Sequence, residues 1–151
     1  MELLAINFER LQKSFTLVQD SLSHLRPLDP AILNDSRAME SYDALASRFE
    51  RFVEIALNKF FRTVEIHQFS KSSESLRDRL LIMQKLGLIS SVELWMEMRN
   101  FRNRIAHDYL PEQLAVVFNG IHIRFNVEMK RFIEECIKFM QKNGENSHVS
   151  S

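Results

Sequence analysis

The chain has 151 residues, with 20 Lys and Arg against 20 Asp and Glu, and its isoelectric point is about 7.0. This balance excludes a protein that coats nucleic acid or an anionic membrane through bulk charge, so any contact with RNA has to be local. The single cysteine, Cys136, excludes a disulfide within the chain and a CxxC-type metal site, and it fits a reducing cytoplasm.

The predicted elements are helices, because glycine and proline occur only three times each and Leu, Met, Glu, Lys and Arg fill the periodic stretches. A first helix is predicted over residues 2–25, and the proline-containing residues 26–30 stop it. A long second helix is predicted over residues 37–68, where apolar residues recur at steps of three and four. The serine-rich residues 70–73 end this second helix.

The third helix is short and is predicted over residues 74–86. It ends at Gly87, because glycine readily adopts the left-handed conformation that often closes a helix. The pair Ser90 and Glu93 has the spacing of a capping box, so the fourth helix is predicted to begin at Ser90 or just after it.

Pro111 separates the last two predicted helices. It disfavours helical geometry at the preceding residue, so the fourth helix is predicted to end around residues 107–109. Pro111 also suits the first turn of a fifth helix that reaches residue 142, with Asn143-Gly144 as its end.

Together these elements predict an all-α fold, an up-and-down helical bundle of about five helices. The length predicts a single domain over residues 1–144, followed by a disordered tail over residues 145–151. The N-terminus carries acids where a secretory signal is basic, and no apolar run approaches membrane-spanning length. We therefore expect a cytoplasmic protein with no membrane segment.

Polar side chains with phosphate chemistry concentrate at the end of the fourth helix, at Arg99, Arg102, Asn103, Arg104, His107 and Tyr109. Guanidinium groups clamp phosphate oxygens, and an imidazole exchanges a proton near neutral pH. Cleavage of RNA by its own 2′-hydroxyl needs these groups and no metal. On an ideal helix Arg102 and His107 lie about 140° apart, so either the helix frays before Pro111 or a second subunit completes the site.

A purely structural interpretation of the same residues stays open. In it His107 caps the helix end and Tyr109 packs at a helix corner. The three arginines then form ion pairs on a solvated face with the acids Glu93, Glu97 and Asp108.

A metal site on the second helix is a weaker alternative. Glu50 and Glu54 lie one turn apart and have the spacing that presents two carboxylates to a metal. No Glu-x-x-His pair occurs in the predicted domain of residues 1–144, and the remaining histidines lack ligand spacing. No metal and no cofactor are therefore expected.

Residues 102–109 read arginine, four residues, histidine, one residue, tyrosine. This pattern, with Asn103 after the arginine and Ala106 before the histidine, resembles the signature of HEPN-domain ribonuclease toxins of the HEPN/MNT type. The predicted helical order is similar to the all-helical bundle of that family. The resemblance implies a metal-independent endoribonuclease, the toxin of a type VII-like toxin–antitoxin pair. It further implies an RNA substrate, a homodimer and a minimal nucleotidyltransferase (MNT) as antitoxin.

The resemblance also implies a role for each residue of the motif. Arg102 stabilises the transition-state phosphate and His107 acts as general acid or base, with Asn103 as a supporting residue that orients the pair. Tyr109 is the position that the antitoxin modifies by AMPylation. Arg99 and Arg104 lie outside the signature, and a role in extending the RNA-binding surface is weighed equally with a solvated face.

Two other functions compete with the ribonuclease. The first is a non-catalytic helical substrate-binding partner of a minimal nucleotidyltransferase, since related small bundles serve as companions of such enzymes. The second is a purely structural bundle, in which the motif is a coincidence.

Overall fold

The computed structural model describes residues 2–107 and 110–149, and for residues 145–149 it describes the backbone alone. In these ranges the chain forms five helices and no strand, which confirms the predicted all-α helical bundle. The helices are α1 (Glu2–His24), α2 (residues 36–69), α3 (Leu76–Lys85), α4 (Val92–His107) and α5 (residues 111–149). A 3₁₀ turn, Pro30–Ile32, lies between α1 and α2.

The two longest helices each contain a π-helical stretch, at Ile55–Phe60 in α2 and at Ile121–Phe125 in α5. A π turn inserts a residue into the helix and rotates the side chains that follow, and such turns are frequent at functional sites. Phe60 and Phe61 are consecutive, yet both are fully buried. The sequence predicted uninterrupted helices, because the spacing of apolar residues does not distinguish a π turn from a wide apolar stripe.

An aromatic cluster joins α2, α4 and α5 in the core. Trp95 of α4 packs edge-on against Phe132 of α5 with ring centroids 4.8 Å apart, and Phe61 of α2 lies 5.3 Å from the same indole. Helix α1 covers this cluster through Phe8, whose ring lies 5.7 Å from that of Phe60. Each such pair contributes about 1 kcal/mol beyond the burial of its surface, so this cluster fixes α2 against α4.

The ends of α3 and α4 agree with the sequence in part. Gly87 follows α3 with a φ of 80°, as predicted. Helix α4 begins just after Ser90, but the hydroxyl that accepts the Leu94 N–H belongs to Ser91, at 3.2 Å. The capping box of Ser90 and Glu93 is therefore wrong. Ser90 instead donates to the buried carboxylate of Glu128, which the local sequence spacing does not show.

Helix α5 continues past Asn143-Gly144 to Val149, so the predicted helix end is wrong. The Asn143 amide nitrogen donates to the Phe139 carbonyl oxygen at 2.7 Å, and its amide oxygen accepts from Gln68 of α2 at 3.1 Å. These bonds hold Asn143 in the helix. The division into a domain of residues 1–144 and a tail of residues 145–151 stays a prediction. None of the described helices is long and apolar enough to cross a membrane.

Candidate functional site

A cleft of about 360 Å³ opens between α2 and α4, beside the segment that joins α2 to α3. This volume lies within the usual range of ligand pockets. The charged residues that line it come from three helices and the connecting segment, and they are Glu50, Glu54, Glu74, Arg79, Arg99 and Arg102. The cleft therefore brings residues from distant parts of the sequence into one polar site.

Helix α2 supplies the acidic wall of the cleft. Glu50 and Glu54 are four residues apart, which places both carboxylates on one face of the helix. Leu57 and Asn58 continue this wall from within the π-helical stretch. The Leu57 carbonyl oxygen accepts a hydrogen bond from Nη1 of Arg79 at 2.9 Å, so the π turn also fixes α3 against α2.

The floor of the cleft beside α3 is held by a buried ion pair. Nε of Arg79 donates to Glu65 at 2.5 Å, and the Glu65 side chain is only 1% exposed. The other Glu65 oxygen accepts from the backbone N–H of Ser73 at 2.9 Å and from the Ser73 hydroxyl. Arg79 is thus neutralised by Glu65 and belongs to the frame of the cleft.

Helix α4 supplies the basic wall. Arg99 and Arg102 are three residues apart, share one face and are exposed. Among the described residues, neither arginine forms an ion pair, and the same is true of Glu50 and Glu54 on the opposite wall. Two walls of opposite charge therefore face the same space without pairing.

The environment of Glu50 shows that the two walls influence each other. Burial raises the pKa of Glu50 above its ordinary value, and the positive charge of Arg102 opposes part of that rise. Glu50 is half-buried, whereas Glu54 is exposed. Glu50 is therefore the cleft carboxylate whose charge is opposed by burial and supported by Arg102.

The structure separates the residues that the sequence motif grouped. Arg99 and Arg102 line the cleft, whereas Asn103, Arg104 and His107 are exposed and are not among its lining residues. Helix α4 stays regular through His107, so the predicted fraying does not occur up to that residue. Tyr109, the predicted modification site, lies outside the described residues.

The predicted ion pairs with Glu93 and Glu97 form with other arginines. Glu93 pairs with Arg77 of α3, and Glu97 pairs with Arg124 of α5, each at 2.8 Å. Asp108 lies outside the described residues. Because neither carboxylate is bound to Arg99 or Arg102, the solvated-face interpretation loses two of its three predicted partners.

The sequence interpretation missed Glu65, Ser73 and Arg79. The only local signal is an acid at residue 65, next to the buried Val64 on an otherwise apolar stripe. Within residues 2–107 and 110–149, no three His, Cys, Asp or Glu side chains are placed to hold a metal ion. Glu50 and Glu54 thus lack the further ligands that the metal alternative needs.

A family model described as nucleotidyltransferase substrate binding protein like matches residues 6–138. The matched segment includes both walls of the cleft and the segment between α2 and α3. No curated protein and no solved structure gave a match.

This match overturns the resemblance to HEPN-domain toxins, whose specific residues lie within 102–109 and whose helical order is shared by many bundles. The prediction of an endoribonuclease toxin, neutralised by AMPylation in a type VII-like toxin–antitoxin pair, is therefore wrong. The match gives no support to an RNA substrate or to a homodimer. The geometry agrees, because Arg102 faces the cleft and His107 does not line it. The competing prediction, a helical partner of a nucleotidyltransferase, fits the match. The chain belongs to the nucleotidyltransferase substrate-binding protein-like family.

Proposed function

We propose that this chain is a non-catalytic helical subunit that holds a substrate for a partner nucleotidyltransferase. The observation that carries the proposal is the cleft between α2 and α4, in which Glu50, Glu54, Arg99 and Arg102 form no ion pair with a described residue. Charged groups kept without partners in a concave site are available to a ligand. The family match supplies the class of enzyme that uses the bound ligand.

The chemistry of nucleotidyl transfer explains what a binding subunit contributes. An oxygen of the acceptor attacks the α-phosphorus of a nucleoside triphosphate. The bond between that phosphorus and the oxygen that bridges to the β-phosphorus breaks, and pyrophosphate is released. The reaction accelerates when the acceptor oxygen is held close to that phosphorus, because orientation replaces a collision between two free molecules. In this proposal Arg99, Arg102, Glu50 and Glu54 hold the acceptor, and the partner carries out the transfer.

The proposed partner is a minimal nucleotidyltransferase, an enzyme small enough to need a separate binding subunit. Catalytic roles for Arg102 and His107 are not part of the proposal, since they depended on the ribonuclease activity. The proposal assigns ligand binding to Arg102, which lines the cleft, and no role to His107, which does not line it. A cytoplasmic location belongs to the proposal too, and the single cysteine, Cys136, fits it.

The proposal is tested by reconstituting nucleotidyl transfer. The chain is co-expressed and co-purified with a minimal nucleotidyltransferase, and transfer from an α-labelled nucleoside triphosphate to a metabolite extract is measured with and without the chain. We expect the label to be incorporated only when both proteins are present. Arg102→Ala should abolish incorporation while the complex still forms on a sizing column.

A matched control separates the cleft from general surface charge. Arg10 is exposed on α1, away from the cleft, so Arg10→Ala should leave the transfer intact. Two results contradict the proposal: equal incorporation without the chain, or incorporation by the chain alone.

A further inference from the structure

We infer that the cleft takes a small dipolar acceptor, one that carries an ammonium group and an oxyanion, phosphate or carboxylate, on the same molecule. This inference rests on the proposed function and names the class of its substrate. It is carried by the opposite charges of the two cleft walls, which lie close enough to interact but do not pair.

The basic wall provides the oxyanion site. Arg99 and Arg102 stand one turn apart on the same face of α4, so both guanidinium groups reach the same part of the cleft. A planar guanidinium binds carboxylate or phosphate through two parallel hydrogen bonds. With no carboxylate of the described residues occupying them, both arginines can turn towards an anionic group of the ligand.

The acidic wall provides the ammonium site. Glu50 and Glu54 line the cleft from α2, opposite α4, and Glu74 lines it from the connecting segment. An ammonium group has three donors and no acceptor, so several carboxylate oxygens around one space suit it. Glu50 is half-buried, and a bound cation offsets the cost of keeping its charge there.

The balance of charge excludes ligands of one sign. Glu65 neutralises Arg79, so the remaining charges of the cleft are the carboxylates of Glu50, Glu54 and Glu74 and the guanidinium groups of Arg99 and Arg102. A nucleoside triphosphate is strongly anionic and has no ammonium group, so the three carboxylates repel it. A polyamine carries only positive charges, so Arg99 and Arg102 repel it. The cleft is therefore suited to the acceptor, and the triphosphate is left to the partner enzyme.

Uncharged polar groups complete the site. The Asn58 side chain lines the cleft from the π-helical stretch and makes no hydrogen bond with the described residues. A carboxamide both donates and accepts, which matches the hydroxyl group of an acceptor. The inferred ligand is thus a polar molecule with an amine, an oxyanion and at least one hydroxyl group.

Four matched sugars test the inference on the isolated chain by calorimetric titration. Glucosamine 6-phosphate carries both charges, glucosamine only the ammonium, glucose 6-phosphate only the oxyanion, and glucose neither. We expect glucosamine 6-phosphate to bind about tenfold or more tightly than either singly charged sugar. Muramic acid, which pairs the amine with a carboxylate, shows whether the oxyanion has to be a phosphate.

Variants assign each charge to its wall. Arg102→Ala should remove the preference for glucosamine 6-phosphate over glucosamine, whereas Glu54→Gln should remove its preference over glucose 6-phosphate. Arg10→Ala and Glu40→Gln are matched exposed controls outside the cleft and should preserve both preferences. Circular dichroism verifies that every variant keeps its helices.

Each outcome has a separate meaning for the two proposals. If glucose 6-phosphate binds as tightly as glucosamine 6-phosphate, or if neither glucosamine 6-phosphate nor muramic acid binds, the dipolar class is wrong. In that case a nucleotidyl transfer that still requires Arg102 leaves the proposed function standing. If the dipolar sugars bind but transfer does not need the chain, the cleft is a dipolar site and the proposed function fails.

Discussion

The acidic residues of this bundle lie in two contrasting environments. Glu65 and Glu128 are buried and receive several hydrogen bonds, whereas Glu50 and Glu54 line an open cleft with no ion pair to a described residue. A buried charge destabilises a fold unless its partners are in place, so the first pair is part of the architecture. The second pair forms no hydrogen bond or ion pair with a described residue, which indicates that its partner is a ligand.

Glu128 shows how complete the buried arrangement is. Its two carboxylate oxygens accept from the backbone and hydroxyl of Ser90, at 3.0 and 2.7 Å, and from Nε1 of Trp95 at 2.8 Å. Arg131 lies 3.3 Å away on the same helix. One acid on α5 thereby fixes the start of α4, the helix that carries the basic wall of the cleft.

The largest expected effect comes from Glu65→Ala. The change leaves the mostly covered guanidinium of Arg79 without its ion pair and removes the acceptor of Ser73, so we expect a loss of about 3–5 kcal/mol in the free energy of unfolding. Urea denaturation followed by circular dichroism measures it. Glu54→Ala is the matched control and should change stability by no more than about 0.5 kcal/mol. Similar losses in the two variants would contradict the contrast between the environments.

Trp95→Phe should have the next largest effect. Phenylalanine cannot donate to Glu128, and its smaller ring loses contact with Phe132, so we expect a loss of about 1–3 kcal/mol. The same substitution in a Glu128→Gln background should cost less, because the bond to a charged acceptor is already gone. Equal costs in both backgrounds would show that the indole contributes only through its packing.

How much of this was predictable from the sequence differs between the fold and the cleft. The all-α bundle was predicted from local signals: apolar periodicity, the scarcity of glycine and proline, and the helix boundaries at Gly87 and Pro111. The π turns and the helix end at Val149 did not, because they depend on packing between helices. Glu65 is an example: its burial is explained only by Arg79 and Ser73, which follow it in a separate element.

The candidate site was predictable only in part for a similar reason. The sequence indicated two separate candidate groups. Arg99 and Arg102 belonged to the segment with phosphate chemistry, and Glu50 and Glu54 belonged to the alternative of a metal site. Their meeting in one cleft follows from the packing of α2 against α4, which a linear spacing does not reveal. The residue types of the short motif at residues 102–109 suit phosphate chemistry and therefore favoured a ribonuclease. The family match covers residues 6–138, so it carries more information about the family of the chain.

Ser91→Ala sharpens the account of how α4 begins. The Ser91 hydroxyl accepts the Leu94 N–H, so removing it should cost about 1 kcal/mol of stability. Glu93→Ala should cost no more than about 0.5 kcal/mol, because Glu93 forms an exposed pair with Arg77 and takes no part in the cap. Thermal unfolding of the two variants in parallel shows which substitution costs more stability. A larger loss in Glu93→Ala than in Ser91→Ala would support the capping box of Ser90 and Glu93.

The smallest expected effect concerns the half-buried Glu50 of the cleft. A carboxyl group whose pKa is raised by folding binds its proton more tightly in the folded state. The free energy of unfolding therefore falls as pH rises from the ordinary glutamate pKa through the raised pKa of Glu50, and the loss persists above it. Glu50→Gln removes this titration, so the variant should lose less stability than the parent chain between about pH 4 and pH 7.

Arg102 reduces that effect, whose main cause is burial, and links it to the opposite wall. Because the charge of Arg102 lowers the pKa of Glu50, Arg102→Ala should raise this pKa further and steepen the pH dependence. A titration of the Glu50 carboxyl carbon by nuclear magnetic resonance, in the parent chain and in Arg102→Ala, measures the pKa of Glu50 in each protein directly. If the pKa of Glu50 is unchanged in Arg102→Ala, the two walls do not interact across the cleft. That result would contradict the inference that one ligand bridges them.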